Sequence, residues 1–152
     1  MPGIFGILTK SPLGNEEKLL EAMSDSLRHE SFYRHGNYFN HGLGFFVGFS
    51  TMSGSFNDCL PIFNEDRHLL LFLTGETFHD PEVLSSLQKK GHRFDVHDAT
   101  YLIHLYEEDQ KSFFRCLNGW CNGVILDLAN GKATIFNDRY GMRRLYYQET
   151  DR

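Results

Sequence analysis

The chain has 152 residues, with 15 Lys and Arg against 20 Asp and Glu, which gives a formal net charge of −5. This length suits one domain over residues 1–152, and the acidic balance argues against a nucleic-acid partner, because phosphate binding normally needs a basic face. The apolar fraction of 41% is ordinary for a folded domain, yet no apolar run approaches the roughly 20 residues of a membrane span, and the first residues lack the features of a signal peptide.

The first half of the chain is predicted to contain mainly strands and one helix. An apolar run over residues 4–8 predicts a buried strand. Asn15 is the predicted N-cap of a helix whose apolar face carries Leu19, Leu20, Met23 and Leu27. Residues 28–42 have no clean period and predict a loop or irregular strand. Further strands are predicted over residues 44–49, 60–63 and 69–73, the last two joined as a hairpin.

Helices and then strands are predicted for the second half. Pro81 follows Asp80 and begins a helix that stops at Gly91, and Asp98 is the predicted N-cap of the next helix. A short helix follows over residues 111–117. The last strands are predicted over residues 120–128, 132–137 and 145–147, the first two joined by Asn130-Gly131. The predicted helices and strands come in separate runs along the chain rather than alternating. This order predicts an α+β fold with mostly antiparallel sheets.

The cysteines and histidines give little sign of a metal or redox site. Cys59, Cys116 and Cys121 are odd in number and lack a metal-knuckle spacing, which predicts reduced thiols in a cytoplasmic protein. The eight His show no paired spacing on a helix face, so the sequence predicts no metal site, and it predicts no cofactor. Phosphate-loop, dinucleotide and serine-hydrolase motifs are absent from the sequence.

A series of short motifs in fixed order does point to a family. Residues 1–7, Met-Pro-Gly-Ile-Phe-Gly-Ile, resemble the Met-Cys-Gly-Ile-Phe-Gly-Ile start of class II glutamine amidotransferases. Further segments resemble later motifs of that family, at residues 61–64, 74–76, 97–106, 117–127 and 137–147. The amidotransferase half of asparagine synthetases is the most similar group. The resemblance implies a four-layer αββα sandwich of the N-terminal-nucleophile hydrolases, with two mostly antiparallel sheets.

The resemblance also implies that the catalytic machinery is incomplete. In the family, a Cys exposed by Met removal attacks the glutamine amide, but Pro2 occupies that position and has no thiol or hydroxyl. Thr74 replaces an Asn that forms the oxyanion hole with Gly75, and such a loss costs about 10²–10³ in rate. The family's carboxylate-binding Arg should fall near Phe49, and no Arg lies between residues 36 and 66. No catalytic residue is therefore expected.

Three matching positions, Gly75, Glu76 and Asp98, form a predicted remnant of the ligand site. The resemblance implies that Asp98 binds a glutamine α-amine, and a plain helix cap explains this residue equally well. The sequence thus predicts a degenerate domain without glutaminase activity, acting as a structural or interaction module beside a synthetase-type domain or subunit. It would be either a fragment of a longer protein or a stand-alone partner, and self-association stays open. Exposed aromatics near Tyr140 and Tyr146 are candidate contacts.

Three alternatives remain at this stage. Pro2, freed by Met removal, would act as a base or form an iminium with a carbonyl substrate. Alternatively, Pro2 is an engineered replacement of Cys in an active enzyme, which Thr74 and the missing Arg disfavour. Lastly, the remnant at Gly75, Glu76 and Asp98 would sense a small amine-bearing metabolite.

Overall fold

The computed structural model of the protein describes residues 2–150, which form seven strands and four helices. The strands are β1 Gly3–Leu8, β2 Tyr33–Asn40, β3 Phe45–Met52, β4 Ile62–Phe63, β5 Leu69–Thr77, β6 Gly119–Asp127 and β7 Lys132–Asn137. The helices are α1 Glu16–Ser26, α2 Pro81–Lys89, α3 Tyr101–Glu108 and α4 Gln110–Cys116. None of the helices in this part of the chain is long and apolar enough to cross a membrane.

The strands form two sheets, each antiparallel throughout. The first sheet has the order β1-β3-β2, and the second has the order β4-β5-β6-β7. In the first sheet Ile4 lies opposite Phe49, and in the second Leu71 lies opposite Ile125. The α+β class with antiparallel sheets is therefore confirmed.

The two sheets stack face to face around an aromatic core. Phe72 of β5 is fully buried, and its ring centroid lies 6.1 Å from that of Tyr38 and 6.0 Å from that of Phe49. Helix α1 packs on the outer side of the first sheet, and α3 packs against β5 on the outer side of the second. Both contacts bury apolar side chains, Leu20 on α1 and Leu102 on α3. The layers are therefore α, β, β and α, as the resemblance implies.

Two elements in the first half differ from the sequence prediction. Residues 33–40 form a regular strand, because pairing with β3 supplies the backbone hydrogen bonds that the local residue pattern does not indicate. Helix α1 begins at the predicted position, yet Leu19 and Met23 are exposed. The buried residues of the helix are Glu16, Leu20 and Ser24, so the prediction that Leu19 and Met23 belong to a buried apolar face is wrong.

The strand predicted over residues 145–147 is absent from the described structure, and Tyr146 and Tyr147 are 81% and 74% exposed. The chain turns away from the sheet after β7 because the buried carboxylate of Asp138 takes the next backbone N–H groups. Its oxygens accept from the N–H of Tyr140 at 3.0 Å and of Arg143 at 3.1 Å. Burial alone would raise the pKa of Asp138, but these backbone donors outweigh it and lower that pKa.

Candidate functional site

Pro2, at the position predicted for the family nucleophile, lies exposed immediately before β1. The next residue, Gly3, lies opposite Ser50. Successive side chains of a strand point to opposite faces of the sheet, so Pro2 lies on the same side as Ile4. Ile4 packs against the core between the sheets. Strand β1 also contacts β5 of the second sheet. Pro2 therefore lies just before the first residue of β1, on the side of the sheet that faces the space between the two sheets. Its side chain has no thiol or hydroxyl.

The two predicted oxyanion positions lie next to each other in β5. Thr74 is buried and shares the inward face of β5 with Phe72. Its Oγ1 is buried, and no residue among 2–150 hydrogen-bonds it. Gly75 has φ of +97°, and a Cβ at that position would lie 1.9 Å from the carbonyl oxygen of Trp120. Only glycine fits this backbone, which accounts for Gly75 without reference to catalysis.

The connection between β3 and β4, residues 53–61, holds the site positions together. Asn57 is buried, and its Nδ2 donates to the carbonyl oxygen of Gly75 at 2.7 Å. One residue earlier, the carbonyl oxygen of Phe56 accepts from the N–H of Ala99 at 3.0 Å. The connection thus links Gly75 on β5 to the segment that carries Asp98. The sequence reasoning did not identify Asn57, because its contact spans 18 residues and has no motif.

Asp98 is half-buried and does not occupy the predicted N-cap position. Helix α3 begins at Tyr101, and Thr100 is its N-cap, without a capping bond from its own side chain. The Oδ1 of Asp98 accepts from the backbone N–H of Thr100 at 2.8 Å and from its hydroxyl at 2.5 Å. Asp98 therefore stabilises the turn that precedes the helix, which corrects the helix-cap prediction by two residues.

The remaining remnant position, Glu76, does not join this group. Its side chain is exposed on β5 and makes no hydrogen bond within the part of the chain that the structure describes. The structure thus connects Gly75 and Asp98 through the β3–β4 connection and leaves Glu76 at the surface.

The position expected for the carboxylate-binding arginine and the nearby Arg34 have other structural roles. Phe49, at the expected position, is buried in the inter-sheet core. Arg34 on β2 lies opposite Thr51, but its guanidinium is already engaged. Its Nη2 donates to the carbonyl oxygens of Asp58 and Leu60, the latter at 2.9 Å, and its Nε lies 3.3 Å from a carboxylate oxygen of Asp58. Arg34 therefore anchors the β3–β4 connection.

Two thiols lie close to the candidate site, and both are free. Burial raises the pKa of Cys59 to about 11, and the negative charge of Asp98 adds to the effect. Cys121 lies opposite Gly75, and burial raises its pKa to about 11 as well. Such a thiol is ionised in only about one molecule in 10⁴ at pH 7. Both thiols are therefore predominantly protonated at neutral pH.

Two surface hollows do not include Thr74, Gly75 or Asp98 in their lining. The larger runs along α2 and is lined by residues that include Pro81 and Lys89. The smaller is lined by residues that include Gly119 and Tyr140. Neither hollow is lined by Gly75, so these hollows do not mark a glutamine pocket.

Comparison with known proteins agrees with this architecture. The family model of the glutamine amidotransferase domain matches residues 51–152. Asparagine synthetase [glutamine-hydrolyzing] 2 of Bacillus subtilis is 26% identical over 153 residues, covering 98% of this chain and 20% of that protein. The asparagine synthetases [glutamine-hydrolyzing] of Brassica oleracea and Sandersonia aurantiaca are 32% and 33% identical over 87 residues, covering 57% of this chain and 14% and 16% of those proteins.

The chain belongs to the glutamine amidotransferase domain family, because the family model covers more than half of it. It spans about a fifth or less of the length of the curated relatives that it matches. The matched range contains Thr74, Gly75 and Asp98, while Pro2 lies outside that range.

Proposed function

We propose that this chain is a degenerate amidotransferase domain of an asparagine-synthetase-like protein, without glutaminase activity, and that it acts as a structural or interaction module. The identity of Pro2 carries the proposal. A covalent acyl-enzyme needs a nucleophile, and proline offers neither sulfur nor oxygen at that position.

Three features of the surroundings support the same conclusion. Thr74 has a shorter side chain than the Asn it replaces, so its hydroxyl does not place a donor where the amide would. Arg34 is used by the β3–β4 connection. The nearby Cys59 has a pKa that disfavours the thiolate. Restoring the nucleophile alone would therefore leave the oxyanion and carboxylate contacts missing.

A graded restoration tests this proposal. The assay follows glutamate formation from glutamine by three variants: Pro2→Cys, Thr74→Asn and the double variant. Mass spectrometry establishes whether residue 2 is the free amino terminus in each. The single variants are expected to stay at background. The double variant is expected to remain at least about 10²-fold below the Bacillus subtilis relative. Glutamate formation by Pro2→Cys at the rate of that relative would contradict the proposal.

We further propose that the exposed apolar side chains after β7 contact a synthetase-type domain. These side chains are 69–81% exposed and comprise Tyr140, Met142, Tyr146 and Tyr147. Exposed apolar patches frequently mark binding surfaces. The curated relatives are several times longer than the matched region, so in them the domain is part of a larger chain.

The docking proposal is tested with the synthetase portion of the Bacillus subtilis relative as the partner. Tyr140→Ser and Tyr146→Ser together are expected to weaken binding measured by calorimetry, because both large exposed rings are removed. The matched control is Phe32→Ser, at a side chain that is 51% exposed on a different part of the chain. An equal effect of both changes, or binding unaffected by either, would refute this surface as the contact.

A further inference from the structure

Four metal-ligating side chains meet at a place distant from Thr74 and Gly75. Glu65 belongs to the β4–β5 hairpin, His92 follows α2, and His104 and Glu107 lie one turn apart on α3. Their ligand atoms all lie within 4.8 Å of one another. The spacing of the histidines in the sequence gave no indication of this cluster, because three separate segments bring it together.

His104 is the buried centre of the cluster, with only 3% of its surface exposed. Its Nδ1 lies 3.2 Å from Oε2 of Glu107 and 3.4 Å from Oε2 of Glu65. An imidazole nitrogen carries at most one hydrogen, so it does not donate a full hydrogen bond to two carboxylates. The two carboxylates place negative charge beside the imidazole nitrogens, which a divalent cation would offset.

The two contacts of His104 have lengths that suit a metal centre as well as a hydrogen-bonded group. Zinc bonds of about 2.0–2.1 Å in a tetrahedron separate the ligand atoms by roughly 3.3 Å, close to both contacts of His104. Two imidazoles and two carboxylates are a donor set for zinc or a similar transition metal, since magnesium and calcium prefer oxygen donors alone.

Outer contacts hold two members of the cluster in place. Nδ2 of Asn64 donates to Oε1 of Glu107 at 2.6 Å. Nε2 of His92 lies 2.9 Å from Oε1 of Glu108, a carboxylate–imidazole pair of the kind that orients metal-ligating histidines. These contacts already restrict the ligand side chains. Less conformational entropy would therefore be lost when a metal binds.

We propose that Glu65, His92, His104 and Glu107 form a structural zinc-type metal site that links the β4–β5 hairpin to the end of α2 and to α3. Four protein ligands leave no open position for substrate, which is the character of structural sites. Asn64 Oδ1 accepts from the N–H of Leu69 at 2.9 Å, which places the cluster at the opposite end of β5 from Thr74. The site is therefore separate from the amidotransferase remnant and independent of whether glutamine is hydrolysed.

Chelator-stripped protein titrated with zinc chloride tests the proposal directly. Wild-type protein is expected to bind one zinc per chain, measured by equilibrium dialysis with elemental analysis, and to melt at a higher temperature with zinc than without it. Cobalt is expected to produce the visible absorption of a tetrahedral ion. Glu65→Gln and His92→Gln replace partly exposed ligands, so both variants should fold, and each is expected to lose the bound equivalent of zinc.

His29→Gln is the matched control, because His29 is exposed and lies outside the cluster. It is expected to bind zinc as the wild type does, whereas Asn64→Ala is expected to bind it roughly 10–100-fold more weakly through the lost outer contact. Zinc binding that is equal in the wild type, Glu65→Gln and His92→Gln would show adventitious surface binding and overturn the proposal. Absence of zinc binding by the wild type would overturn it as well.

Discussion

Replacing Gly75 with Ala is expected to lower the free energy of unfolding by at least about 3 kcal/mol. Two effects combine at this position. The φ of +97° disfavours any residue with a Cβ, and that Cβ would lie 1.9 Å from the backbone oxygen of Trp120 on β6. Backbone on a paired central strand does not move away as a flexible side chain would. Urea unfolding of wild type and variant measures the difference.

Gly54→Ala separates the two effects. Gly54 also has a positive φ, +75°, but nothing lies within 4 Å of its added Cβ. Only the conformational strain remains, so a loss of about 1 kcal/mol is expected. Equal losses in Gly54→Ala and Gly75→Ala would mean that the close approach of β5 and β6 does not constrain Gly75.

Replacing Phe72 with Ala is expected to destabilise the protein by about 3–5 kcal/mol. Phe72 is completely buried between the sheets, where its ring contacts those of Tyr38 and Phe49. Truncation removes ring contacts between the two layers and leaves a cavity that paired strands on both sides cannot close. The loss is measured by the shift of the urea midpoint at an unchanged slope.

Phe32→Ala provides the comparison for Phe72→Ala, since the Phe32 ring is half exposed and contacts Tyr33 at the surface. Its expected loss is under about 1 kcal/mol. A loss in Phe72→Ala no greater than that in Phe32→Ala would contradict the stacking of the two sheets through this residue.

The local sequence was sufficient to predict the elements whose ends carry strong turn-forming or helix-capping residues. Residues 128–131, which end in Asn130-Gly131, join β6 to β7, and Gly131 adopts a positive φ of 62°. Asp80 caps α2 through its side chain, with Pro81 at the first helical position. Strand β2 carries no comparable signal, because its order depends on the neighbouring β3 rather than on its own residues.

The candidate site was predictable only where a residue matched a family motif. Pro2, Thr74 and Gly75 were located in that way. Asn57 and Arg34 were not, because each acts on backbone oxygens of segments 18 to 26 residues away, and any polar side chain at those positions gives the same sequence pattern. The helix-cap prediction at Asp98 was wrong because Asp98 stabilises a hydrogen-bonded turn instead. Helix α3 therefore begins at Tyr101.

The central claim is that the domain has kept its architecture while losing glutamine hydrolysis. The most direct measurement is ammonia release from glutamine by the purified wild-type protein, with the Bacillus subtilis relative assayed alongside it under the same conditions. We predict that the wild type releases no more ammonia than a buffer blank while the relative turns over. Sustained, protein-dependent ammonia release by the wild type would contradict the claim, since Pro2 provides no atom to form the acyl-enzyme.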